Sequence, residues 1–84
     1  MKYSIVLTGP AIKDLGKLPK HIAQRIFDKV KSLEDDPYRT AERCEGYPYY
    51  HQCIGDVRAI LEIDDSKLLI TVHKVGSRKK VYDR

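Results

Sequence analysis

The chain has 84 residues, 42% of them hydrophobic and 33% charged, with a formal net charge of +4 and a pI near 9.1. These values fit a single folded domain over residues 1–84 with a modest core, and they exclude an intrinsically disordered chain. The excess of basic residues favours an anionic partner, either nucleic acid or an acidic protein segment. The alternative is a basic surface that only keeps the protein in solution. No apolar run approaches ~18 residues, and two cysteines are too few for a disulfide framework. We therefore expect a cytoplasmic protein with reduced thiols and no membrane partner.

The first half of the chain predicts one strand followed by two helices. Residues 2–7 form a short β-type run, and Thr8 or Gly9 is suited to cap the helix that begins at Pro10. That helix ends at Pro19, and its apolar residues recur every third position: Ile12, Leu15 and Leu18. A second helix begins at Pro19 and carries an apolar stripe of helical period: Ile22, Ile26, Phe27, Val30 and Leu33. Asp36-Pro37 ends it.

The second half predicts a loop over residues 37–48 and then three antiparallel strands. Gly55-Asp56 favours a tight hairpin turn, which sets Cys53 opposite Arg58 and His51 opposite Ile60. The last strand spans residues 68–75 and ends before Gly76. With Ile63 opposite Leu68, His73 falls opposite Arg58. The fold class predicted is α+β, in the order β-α-α-β-β-β, with a two-helix pair packed on one face of a small antiparallel-rich sheet.

Because side chains alternate across a strand, the hairpin has two distinct faces. One is apolar, apart from Gln52, and is predicted to form the core: Tyr50, Ile54, Val57, Ala59, Leu61 and Ile63. The other, here called the open face, is chemically mixed: Tyr49, His51, Cys53, Arg58, Ile60 and Glu62, joined by His73 from the last strand. Antiparallel sheets are often polar on the side that meets water, so this mixture alone does not identify a functional site.

The C-terminal tail adds positive charge beside the open face. A turn at Gly76 can bring Arg78 and Tyr82 back toward Arg58. Arginine offers a planar fork for phosphate, and an exposed tyrosine stacks on a base. Together with a histidine, these groups satisfy the needs of RNA cleavage without a metal or cofactor: a base, an acid and cations on the phosphate. A basic tail unrelated to catalysis is the alternative.

Other kinds of site are less well supported by the residues. His51, Cys53 and His73 offer zinc ligands, but no closely spaced ligand pair accompanies them, so no metal site is predicted. A helix-turn-helix is disfavoured because Pro19 follows Leu18 directly and leaves almost no turn.

Several segments resemble the RelE/ParE toxin superfamily. The most specific are Gly55-Asp56-Val57-Arg58 and the tail from Gly76 through Arg78 to Tyr82; the element order, Asp36-Pro37 and Gly46 agree as well. The resemblance covers essentially the whole chain. It implies a RelE-like mRNA interferase of a type II toxin–antitoxin pair, a ribosome-dependent endonuclease that cuts mRNA without a metal and inhibits translation. It also implies an acidic RelB-like antitoxin that holds the toxin inactive in a hetero-oligomer.

The resemblance implies roles for individual residues. Arg58 and Arg78 correspond to arginines that bind the phosphate and stabilise the transition state, and Tyr82 to a tyrosine that stacks on or orients the RNA. His51 stands where relatives often have lysine or arginine, and it is the candidate general base because histidine titrates near neutrality. The remaining residues predicted to bind RNA are Lys79, Lys80, Tyr49, His73 and Arg84.

Two alternatives remain open at this level. The first is a ParE-like toxin that binds DNA gyrase and poisons it without chemistry of its own; the catalytic-looking pair Arg78 and Tyr82 argues against it. The second is a weakly active or inactive RelE-like protein that mainly binds its antitoxin. The departures at His51 and Cys53 from the cations common in relatives motivate this second alternative.

Overall fold

The computed structural model describes residues 2–44, 46 and 48–77, in which two helices pack on a five-stranded sheet. The strands are β1 (Ser4–Leu7), β2 (Glu42–Arg43), β3 (Tyr50–Ile54), β4 (Val57–Asp64) and β5 (Leu69–Ser77). The helices are α1 (Gly9–Gly16) and α2 (Lys20–Lys31), with short 3-10 helices at Ser32–Glu34 and Pro37–Arg39. The strand order is β1-β5-β4-β3-β2; β1 runs parallel to β5 and the other neighbours are antiparallel. The predicted α+β class is confirmed.

Thr8 fixes the start of α1 against β5. Its hydroxyl oxygen accepts from the Ala11 N–H at 3.3 Å, and the same hydroxyl lies 3.1 Å from the backbone oxygen of His73. Ala11 is fully buried whereas Ile12 is 60% exposed, so the predicted stripe through Ile12 is wrong. Residues three apart drift around a helix, whereas Ala11, Leu15 and Leu18 follow the i, i+4, i+7 spacing that keeps one face on the core.

The second helix packs as predicted except at Phe27. Pro19 is its N-cap residue, and Ile26 and Val30 are buried one helical turn apart. Phe27 is nearly half exposed because it lies one position around the helix from Ile26. The helix ends at Lys31, earlier than the predicted end at Asp36-Pro37, and the buried Leu33 lies in the 3-10 helix that follows.

The β3–β4 hairpin has the predicted register, with Cys53 opposite Arg58 and Gln52 opposite Ala59. Gly55 has φ +61°, a left-handed conformation that glycine adopts at no steric cost. Gln52 is 5% exposed on the apolar face, where its side-chain oxygen accepts from the Thr40 hydroxyl at 2.7 Å. A buried amide needs such a partner, and the contact also ties the 37–48 segment to the sheet.

That segment, predicted to be a loop throughout, contains the edge strand β2. Glu42 pairs with His51 and Arg43 with Tyr50, and the Cys44 N–H donates to the Tyr49 carbonyl at 2.8 Å. A two-residue strand is too short to show an alternating apolar pattern, which explains why the sequence did not reveal it.

The predicted β4–β5 register is wrong by two residues at the turn, since Ile63 pairs with Ile70 rather than facing Leu68. The Asp64 carboxylate accepts from the backbone N–H groups of Ser66 and Lys67, so the turn begins one residue later than expected. A shift of two leaves every side chain on its predicted face.

A β-bulge then changes the pairing again. Leu61 pairs with Val72, but Ile60 pairs with Lys74, so His73 is an extra residue in β5. Gly76, not His73, lies opposite Arg58, and the strand continues to Ser77 instead of ending before Gly76. The predicted pairing of His73 with Arg58 is therefore wrong.

The core lies between the sheet and the helices and is centred on fully buried side chains such as Leu61, Ile70 and Ile26. Within the described residues, no helix is long and apolar enough to cross a membrane.

Replacing Leu61 with alanine should lower the free energy of unfolding by about 2 to 5 kcal/mol, because it removes a fully buried side chain and leaves a cavity. Ile12→Ala is the matched control: that side chain is 60% exposed, so its loss should change stability by less than about 0.5 kcal/mol. Urea denaturation measures both. Equal losses in the two variants would contradict the assigned core.

Asp65 in the β4–β5 turn joins three parts of the chain. Its Oδ1 accepts from the hydroxyls of both Tyr3 and Tyr38 at 2.7 Å. The hydrogen bond from Tyr3, followed by that from Tyr38, holds the pKa of Asp65 below its usual value. Partial burial and the bond to Asp65 raise the pKa of Tyr38. The ionised carboxylate therefore stabilises the fold.

This arrangement predicts a loss of stability in acid. A carboxyl group whose folded pKa is lowered stabilises the protein above its unfolded pKa of about 4, and that contribution disappears as the pH falls through the folded pKa. We expect the double variant Tyr3→Phe, Tyr38→Phe to depend less steeply on pH, because it keeps both rings and removes both donors. Urea unfolding from neutral pH down to about pH 2 tests this. An acid limb as steep as that of the parent would refute it.

Candidate functional site

Arg58 lies on β4 in the open face, between the exposed Cys53 of β3 and Gly76 of β5. Arg58 as a whole is half-buried. Gly76 has no side chain and Cys53 a short one, so neither cross-strand neighbour is bulky, while the Nε atom of Arg58 is itself buried. The predicted register of the hairpin places Arg58 on the open face, and its role in binding stays a prediction.

His51 is held between Glu42 and Cys44. Its Nε2 lies 3.1 Å from Glu42 Oε1, and its Nδ1 lies 3.4 Å from the Cys44 Sγ. The pairing of β2 with β3 produces this arrangement, since Glu42 is directly opposite His51 and Cys44 is two residues further along the same side. The His51 side chain is 13% exposed and that of Glu42 is 75% exposed. The imidazole is thus enclosed, and its carboxylate partner meets solvent.

The contacts with Glu42 and Cys44 favour one arrangement of the ring protons of His51. An ionised carboxylate only accepts, so Nε2 must carry the proton shared with Glu42. In neutral His51, Nδ1 then accepts from the Cys44 thiol. The lone pair that a general base uses therefore points at Cys44, and His51 takes a proton from RNA only if one of these two contacts is exchanged. Its role as general base stays a prediction.

A second histidine–carboxylate pair lies further along the open face. His73 Nε2 is 2.8 Å from Glu62 Oε1, and the His73 and Tyr49 rings meet edge to face with centroids 5.5 Å apart. The bulge sets His73 beside Glu62 instead of Arg58. Tyr49 and His73, both predicted to bind RNA, are therefore in contact with each other. Neither of them is paired with Arg58.

The remaining predicted site residues lie outside the described part of the chain: Arg78, Lys79, Lys80, Tyr82 and Arg84. The last described residue, Ser77, pairs with Val57, the neighbour of Arg58 in β4.

Sequence reasoning missed Glu42 and Cys44 as partners of His51. Glu42 and Cys44 lie in the segment predicted to be a loop, so no face was assigned to them. The available signal is their i, i+2 spacing, which is that of side chains on one face of a strand.

Comparison with known proteins identifies the family. The model of the ParE toxin of type II toxin–antitoxin systems (parDE) matches residues 5–82. The chain belongs to the RelE/ParE toxin superfamily. An Escherichia coli RelE-like toxin protein is 26% identical over 83 residues, covering 95% of this chain and 87% of that protein. The protein is thus a type II toxin–antitoxin toxin by family.

Solved toxin structures have the same fold. The RelBE2 toxin–antitoxin complex of Mycobacterium tuberculosis matches with a TM-score of 0.83 and 26% identity, covering 93% of each chain. A mutant of E. coli toxin RelE in the free state matches with a TM-score of 0.83 and 22% identity, covering 95% of this toxin and 87% of that chain. The RelB–RelE complex of Methanococcus jannaschii matches with a TM-score of 0.75 and 24% identity, covering 93% of this toxin and 95% of that chain.

The geometry around His51 in this toxin predicts its tautomer. Nitrogen NMR of the neutral ring should show the proton on Nε2, because Glu42 is close to that nitrogen and the Cys44 thiol is close to Nδ1. Cys44→Ala removes the thiol and should shift the Nδ1 resonance while leaving the Nε2 proton in place. His73 in the same spectra is an internal control, since its Nε2 also lies near a carboxylate. A proton on Nδ1 of neutral His51 would disprove the assignment.

Proposed function

We propose that this toxin is an mRNA endonuclease that acts in the ribosome, inhibits translation and is restrained in the cytoplasm by an acidic RelB-like antitoxin. The observation that carries the proposal is Arg58 at the centre of the open face, flanked by a glycine and an exposed cysteine. A phosphate needs a nearby cation as negative charge builds up in the transition state. The M. tuberculosis and M. jannaschii neighbours, solved as toxin–antitoxin complexes, support the antitoxin partner.

The reaction proposed is attack of an RNA 2′-oxygen on the adjacent phosphorus. The new O2′–P bond replaces the P–O5′ bond, and the leaving 5′-oxygen takes a proton from solvent water, which leaves a cyclic phosphate and a free 5′-hydroxyl. His51 is assigned the 2′-hydroxyl proton, and this requires its ring to leave Glu42 or Cys44. We assign Arg58 and Arg78 to the phosphate charge and Tyr82 to orientation of the RNA. The RNA-binding residues proposed are Tyr49, His73, Lys79, Lys80 and Arg84.

A ParE-like gyrase inhibitor is the second candidate. The match of residues 5–82 to the ParE toxin model favours it. A gyrase inhibitor needs no proton acceptor on the open face. It is therefore compatible with the contacts that both His51 nitrogens make with Glu42 and Cys44.

Primer extension on a translated message after brief induction of the toxin tests the proposal. We expect new 5′ ends within codons, and Arg58→Ala should reduce their yield about 100-fold or more, as does loss of one donor to a developing oxyanion. Arg39→Ala is the control, because Arg39 is an exposed arginine in a 3-10 helix and the charge change is identical.

The contrary outcomes are distinct. Growth arrest with gyrase inhibition and an uncut message would establish the ParE-like candidate instead. Clean expression with neither effect would leave a protein whose activity is weak or lost. Full cleavage by the Arg58→Ala variant would remove Arg58 from the mechanism.

A further inference from the structure

A basic cleft of about 540 Å³ lies between α1 and β5. It exists because β1 pairs with β5 only as far as Val72, so the rest of β5 is flanked by the helix. The cleft is lined by two turns of α1 and one residue of the strand: Gly9, Pro10, Lys13, Asp14, Lys17 and Lys74.

The charges in this cleft favour an anion. Three lysines line it against one carboxylate, and that carboxylate is already engaged, since Asp14 Oδ2 accepts from the Val75 N–H at 3.1 Å. Asp14 therefore anchors the helix to the strand, and the three ammonium groups outnumber it. Lysine is a compact, strongly hydrated point charge, suited to a phosphate group.

The bulge in β5 connects the cleft to the open face. Because His73 is an extra residue, Lys74 pairs with Ile60, and Ile60 lies on the same side of β4 as Arg58. Lys74 is thus diagonal to Arg58 across the two strands, a separation of about 7 to 8 Å between Cα atoms. A strand of nucleic acid whose phosphate is bound at Arg58 has a neighbouring phosphate within reach of Lys74.

We propose that the α1–β5 cleft binds a phosphodiester group of the same RNA strand, beyond the bond that is cut. The proposal rests on the mRNA-cleaving function proposed above and adds a second phosphate position to it. Lys74 is the link with Arg58, and Lys13 and Lys17 extend the basic path along α1. An acidic peptide is the competing occupant, but continuity with Arg58 through the strand register favours RNA.

The test is binding of a short single-stranded RNA to the full chain, followed by fluorescence anisotropy over a range of salt concentrations. The RNA carries 2′-O-methyl groups throughout, so it cannot be cut. The variant is the triple substitution Lys13→Gln, Lys17→Gln, Lys74→Gln. We expect binding about 10-fold weaker and a log–log salt slope reduced by about 0.7 for each lost phosphate contact.

The matched control is Lys20→Gln, Lys31→Gln, Lys67→Gln, which removes the same charge from the two ends of α2 and from the β4–β5 turn. It should weaken RNA binding no more than about 2-fold, because it lowers only the overall positive potential of the protein. Equal losses in the two variants would overturn the proposal, and so would an absence of RNA binding by the parent. A cleft variant that loses binding to a polyglutamate peptide but keeps its affinity for RNA would overturn it in favour of the acidic peptide.

This experiment separates the cleft from the cleavage reaction. If the cleft variant loses RNA binding but the parent leaves translated messages uncut, the cleft is supported and the nuclease function fails. If messages are cut and the cleft variant binds RNA like the parent, the nuclease function stands and the cleft assignment fails.

Discussion

The extra residue in β5 determines how the open face is arranged. Val72 and Val75 are three positions apart, yet both are buried in the core, and strict alternation would place them on opposite faces. Inserting His73 lets both valines face the helices. The same insertion sends Lys74 to the open face and sets Gly76 against Arg58. A packing requirement on one side of the sheet thus positions the charged groups on the other.

The open face is more balanced in charge than its histidines and arginine imply. His51 and His73 each lie near a glutamate that is largely exposed, Glu42 and Glu62 respectively. Each contact is an ion pair only when its imidazole is protonated. Arg58 lies opposite a cysteine on one neighbouring strand and a glycine on the other.

Features that depend on a few adjacent residues were predicted correctly. Features that depend on packing or pairing between strands were not. Gly55-Asp56 fixed the hairpin register, and Arg58 was correctly placed opposite Cys53, because a two-residue turn leaves one pairing available. The β4–β5 register failed because it depends on the side-chain bonds of Asp64 and on a bulge set by core packing, neither of which alternation encodes. The partners of His51 were missed for a related reason: β2 exists through its pairing with β3, not through its own sequence pattern.

The fold does not decide between the two toxin activities. The helix pair on a five-stranded sheet matches RelE structures, while the family model that matches the sequence is that of ParE. Two proteins can share such a frame and differ in chemistry, since function resides in side chains placed on it. Cutting RNA requires a proton acceptor and cations at one phosphate, whereas binding a protein target requires neither. The discriminating feature is therefore the open face, where the proposed nuclease assigns the cation to Arg58 and the base to His51, whose ring nitrogens lie near Glu42 and Cys44.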